Sequence, residues 1–157
     1  MLRGAALAAF LALGFATPCA ASEDYPQVWL NAGFLSYHAD READFRENNI
    51  GFGAEAVFAP DHGLLAGNFI NSQNFRSRYA MYEWRPLHWQ PYGVNLSAGL
   101  IAGAVDGYPK YHDGGWYFGA LPMLFFEGKR LGVNFTIVPG RTEGGRLVAI
   151  QLKIRVW

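Results

Sequence analysis

Apolar residues recur at every second position in run after run of this chain, and that period demands strands, because only in a strand do residues i and i+2 share a face. Val94, Leu96, Ala98, Leu100, Ala102 and Ala104 stand against Asn95, Ser97, Gly99 and Gly103. Leu131, Val133, Phe135 and Ile137 alternate with Gly132, Asn134 and Thr136. Val148, Ile150, Leu152, Ile154 and Val156 alternate with Ala149, Gln151, Lys153 and Arg155. The breaks fall where turn residues cluster, which predicts eight strands at 27–38, 49–58, 63–72, 77–86, 93–105, 117–127, 130–139 and 146–157.

Residues 1–22 have the parts of a secretory signal peptide in order: Arg3, the apolar run Ala5 to Ala16, then small residues around Cys19, Ala20, Ala21 and Ser22. Cleavage near Ser22 or Glu23 would remove Cys19, the only cysteine, and with it any disulfide framework, thiol catalysis or cysteine zinc site. No later apolar run approaches the ~20 residues of a membrane-spanning helix, so a membrane crossing requires a closed barrel. A lipocalin-like barrel or a two-sheet sandwich would alternate as well. Either would turn polar residues outward, whereas here the outward sets of strands five, seven and eight are almost wholly apolar.

The connections alternate too. Those around Pro60-Asp61-His62, Leu87 to Tyr92 and Gly128-Lys129 are short, whereas Ala39 to Asn48, Asp106 to Trp116 and Gly140 to Gly145 are mostly longer and more polar. Outer-membrane barrels show this asymmetry, with short turns in the periplasm and long loops outside. The expectation is an all-β, eight-stranded antiparallel transmembrane β-barrel of residues 23–157, a monomer in the bacterial outer membrane. The zero net charge supplies no basic field for nucleic acid.

With strand one running outward, alternation places Leu35, Tyr37, Tyr79, Met81, Ile101, Val138, Leu147 and Ala149 in the outer lumen. Asn31, Glu55, Glu83, Asn95, Asn134, Gln151, Lys153 and Arg155 fall nearer the periplasm. An apolar pocket over a polar floor suits an acyl chain; a packed hydrophobic plug satisfies the same pattern. His38 ends strand one and Asn71-Ser72 end strand three, so all three reach one rim. Strands ~4.8 Å apart let rim side chains two strands apart converge. A histidine beside a serine is the minimal equipment for acyl transfer, although single loop residues of either type more often serve structure.

The order of landmarks resembles the outer-membrane lipid A palmitoyltransferases of the PagP type. The landmarks are Tyr37-His38-Ala39, Gly51-Phe52-Gly53, Phe69-Ile70-Asn71-Ser72, Trp84-Arg85-Pro86, Gly99-Leu100-Ile101-Ala102-Gly103, Leu121-Pro122 and Ile137-Val138-Pro139-Gly140. The resemblance implies an enzyme, free of metal and cofactor, that moves a palmitoyl chain from the sn-1 position of a phospholipid donor to an acyl chain of the lipid A acceptor. His38 and Ser72 match the family's essential residues. Tyr79, Met81, Ile101, Val138 and Leu147 would line the acyl pocket, Tyr79 standing where the family has a glycine at the pocket base. Pro139 matches a proline of the family's lateral lipid gate.

The chain departs from the family in three places. Asn71 stands where the family has Asp, so Asp40, Asp44 or Glu47 is an alternative partner for His38; Phe126 replaces a second gating proline; and no amphipathic helix precedes the barrel. Arg46, Arg76 and Arg78 are expected at the rim, where lipid A presents phosphates. A lipid A deacylase or phospholipase would use the same His and Ser, and a structural or adhesive barrel would use neither.

Overall fold

The computed structural model describes residues 24–40, 44–109, 112–139 and 146–157. The proposed signal peptide and the 140–145 connection lie outside them. Eight antiparallel strands, each paired with its neighbours in sequence and the last with the first, close into a barrel. They are β1 (Gln27–His38), β2 (Asn48–Ala59), β3 (His62–Ile70), β4 (Arg76–Trp89), β5 (Asn95–Val105), β6 (Tyr117–Glu127), β7 (Leu131–Val138) and β8 (Leu147–Arg155). No helix among the described residues is long and apolar enough to cross a membrane.

The distribution of polarity is inverted relative to a water-soluble barrel. Leu30, Phe52, Leu64, Leu100, Leu131, Leu152 and Ile154 are exposed on the outside, while Gln27, Asn31, Glu55, Glu83, Arg85, Asn134, Gln151 and Lys153 are buried within. The sequence pattern therefore runs apolar outward and polar inward, as read for strands five, seven and eight.

Two irregularities aim side chains. In β1 the register with both β2 and β8 shifts before Phe34. Gly33 lies at that shift, where an added Cβ would collide with the Asn49 carbonyl oxygen. A bulge changes which residues face inward. Phe34, Ser36 and His38 thus follow Asn31 into the lumen, and Leu35 and Tyr37, expected inside, are 48% and 58% exposed on the outside. In β4 the register with β5 shifts between Trp84 and Leu87, around Pro86, which has no N–H to donate. The Arg85 N–H pairs instead with the Asp61 carbonyl (2.8 Å) in the β2–β3 turn.

Charge fills the lumen toward the short-turn end. Arg85 and Lys153 meet Glu55, Glu83 and Glu127: Arg85 Nη2 lies 2.5 Å from Glu55 and 2.6 Å from Glu83, Nη1 lies 2.9 Å from Glu127, and Lys153 Nζ lies 2.5 Å from both Glu55 and Glu127. The guanidinium of Arg85 covers the Phe125 ring at 3.7 Å. Asn134 donates to Glu55 at 2.8 Å, and Asn31 bridges Glu55 and Gln151. Burial of so many charges is tolerable because each is paired and hydrogen-bonded. Arg85 and Glu127 share the inward parity of Glu83 and Phe125, so the alternation contained a signal for both.

Candidate functional site

The site lies at the long-loop end, where β1, the 44–47 segment and the β3–β4 turn meet. His38 Nε2 is 3.1 Å from Ser72 Oγ, inside the reach of about 2.6–3.2 Å that proton transfer requires. The histidine is 1% exposed, because the β1 bulge turns it into the barrel, and its ring stacks on Phe45 at 4.6 Å with 24° between planes. Glu47, one of the loop acids expected near the histidine, approaches its main chain: Glu47 Oε1 is 3.5 Å from the His38 N–H.

Ser72 belongs to a turn rather than to a strand. β3 ends at Ile70, and the side chain of Asn71 organises the turn into β4. Its oxygen accepts from the N–H of Gln73 (2.9 Å) and of Phe75 (3.0 Å), while its amide donates to Ser77 Oγ (3.0 Å) and to the Gly107 carbonyl (2.8 Å). Asn and Asp favour such turns because the short side chain replaces a backbone acceptor. The hydrogen-bonding capacity of Asn71 thus goes to the turn that presents Ser72.

Below His38, Phe34, Phe69 and Tyr79 form an aromatic cluster, with centroids 5.0 to 5.9 Å apart. Tyr79 reaches across the lumen from β4 to β8, where its hydroxyl accepts from Gln151 Nε2 at 3.2 Å. Glycine makes this crossing possible: a Cβ on Gly53 or Gly67 would come within 2.5 or 2.6 Å of the Tyr79 hydroxyl. Ile101, with Met123 and Phe125, forms a second apolar cluster against which Met81 and Leu121 pack. Val138 and Leu147 are opposed in the β7–β8 ladder, half-buried and in phase with the buried Thr136 and Ala149. Of the residues expected along the outer lumen, Tyr79, Met81 and Ile101 therefore line its interior packing, whereas the aromatic partners Phe34 and Phe69 were not foreseen.

The wall between β6 and β7 is short. Among the described residues their ladder runs from Met123–Thr136 to Glu127–Gly132, although β6 remains paired with β5 as far as Tyr117. Pro122 stands one residue beyond the last β6–β7 pair and Pro139 immediately after β7, and Thr136 Oγ1 donates to the Pro122 carbonyl at 2.7 Å. Prolines without N–H groups are compatible with an unpaired seam. Phe126 is paired with Val133, away from this opening.

Two of the three rim arginines are engaged within the protein. Arg78 donates through Nε (2.8 Å) and Nη2 (2.5 Å) to Asp106 and lies over the Trp116 ring, while Arg46 donates to the Asn48 carbonyl and to Asn74. Fold and site together define an eight-stranded antiparallel barrel with a histidine–serine pair at the mouth of its lumen. No protein-family model matches the chain, and neither does any curated protein.

Proposed function

We propose that the protein is an outer-membrane acyltransferase that moves a palmitoyl chain from a phospholipid to lipid A. The observation that carries this reading is the 3.1 Å contact between His38 Nε2 and Ser72 Oγ at the mouth of the lumen. The apolar exterior and polar interior suit a barrel whose outer surface meets lipid, with the short turns in the periplasm and the site in the outer half of the membrane. A monomer accounts for the closed sheet, which has no edge to pair.

In this mechanism the proton of Ser72 passes to His38 Nε2 as Oγ attacks the ester carbonyl of the donor. The imidazolium returns it to the departing glycerol oxygen, leaving the acyl group on Ser72. A hydroxyl on an acyl chain of lipid A then gives its proton to His38 as its oxygen attacks the acyl carbon, and the imidazolium passes that proton to the departing Ser72 Oγ, which regenerates both residues. Asn71 positions Ser72 without touching the reacting atoms. The palmitoyl chain would enter through the unpaired β6–β7 seam beside Pro139 and lie against Tyr79, Met81, Ile101, Val138 and Leu147.

Mass spectrometry of lipid A from cells with and without the protein tests the reading. A gain of one palmitoyl group supports transfer; loss of an acyl chain assigns the same pair to a deacylase, and unchanged lipid A assigns the barrel a structural role.

A further inference from the structure

We propose that the segment Phe45-Arg46-Glu47 is a clamp that sets the spacing of His38 and Ser72, with Phe45 as the positioning residue that fixes the imidazole plane. The need for such a clamp arises from topology. His38 ends β1 and Ser72 lies just beyond β3, and β2 separates those strands, so no ladder hydrogen bond joins the two residues. The chain leading into β2 passes between them, and three consecutive residues attach it to both sides.

Phe45 stacks its ring on the His38 ring at 4.6 Å. The Arg46 N–H donates to the Ser72 carbonyl at 3.0 Å, and its side chain donates to Asn74 Oδ1 of the same turn at 3.3 Å. The Glu47 carbonyl accepts from the Ser36 N–H at 2.8 Å, and its carboxylate meets the His38 N–H at 3.5 Å. The main-chain contacts thereby fix the histidine backbone and the serine backbone to one short segment. The imidazole retains rotation about its terminal torsion, a broad one for histidine. A flat ring stacked on its face restricts that rotation and keeps Nε2 directed at Oγ.

The kinetic part of this inference rests on the acyl-transfer reading, and the geometric part does not. The test uses the full chain in detergent micelles with 15N-labelled histidine; His38→Ala identifies the His38 signals among the four histidines. Phe45→Ala removes the ring, Phe45→Leu keeps apolar cover without a flat face, and Phe45→Tyr restores the face.

In Phe45→Ala and Phe45→Leu the His38 ring nitrogens should lose the shifts of the hydrogen-bonded pair. Transfer of palmitate from phospholipid to lipid A should fall about 10- to 100-fold in kcat, as misplacement by about 1 Å does elsewhere, with KM little changed. Phe45→Tyr should restore both readouts. Wild-type ring shifts in folded Phe45→Leu overturn the positioning role, whatever its activity. If the wild-type protein transfers no palmitate and its His38 signals still respond to Phe45, the positioning role stands and the acyl-transfer reading falls.

Discussion

His38 Nε2 and Ser72 Oγ lie 3.1 Å apart with the whole of β2 between their strands in the barrel wall. The approach depends on the β1 bulge, which brings His38 into the lumen, and on the Asn71 turn, which carries Ser72 inward beyond the end of β3.

Substitution of either member of this pair should spare the barrel, because both lie at its mouth and neither side chain belongs to its apolar outer face. His38→Ala and Ser72→Ala should each lower palmitoyl transfer by at least about 10²-fold. The double variant should lose little more, since residues acting as one unit are not additive. Both single variants palmitoylating lipid A at the wild-type rate, while folded in the membrane, would remove the pair from catalysis.

Asn71 should tolerate neither alanine nor aspartate. Alanine deletes the acceptor for Gln73 and Phe75 and the donor to Gly107; aspartate keeps the acceptor but sets a carboxylate oxygen against the Gly107 carbonyl, now 2.8 Å from the amide nitrogen. Loss of transfer in both, with His38 and Ser72 intact, is the expected outcome. Wild-type or raised activity in Asn71→Asp would show that a carboxylate works here.

Tyr79 crosses the lumen and should limit how far an acyl chain descends. Its replacement by Gly or Ala opens the space between the aromatic cluster and the charged layer, and each further buried methylene is worth ~0.8 kcal/mol. Product analysis with donors of graded chain length should show a shift toward longer chains, smaller for Met81→Ala, since Met81 packs at the side of the Ile101 cluster. An unchanged product distribution in both variants would exclude the two residues from chain selection.

Arg85 joins all three glutamates of the buried layer. Arg85→Met leaves Lys153 alone against them, and breaking a buried pair in this way costs about 3–5 kcal/mol. The variant should unfold at lower urea concentration and at a lower temperature than the wild type. Equal midpoints for variant and wild type would show that the layer contributes little to stability.

Much of the architecture was legible because alternation and turn chemistry are local. The limits of β1 and β6 come directly from the pattern, the barrel closes from eight such runs, and Tyr79, Met81 and Ile101 fall inside by parity alone. Arg85 and Glu127 carried the same parity signal, but nothing local says that their charges meet at 2.9 Å across strands 42 residues apart.

Parity also misled at Leu35 and Tyr37, since one extra residue in β1 exchanges inward for outward and only the pairing with two other strands reveals it; Gly33 was the single local hint. Residue types nominated His38 and Ser72. Their contact, and the Phe45 ring on the imidazole, were decided by barrel closure and by loop hydrogen bonds between distant segments, because a distance set by pairing across the sheet is written in no single stretch of chain.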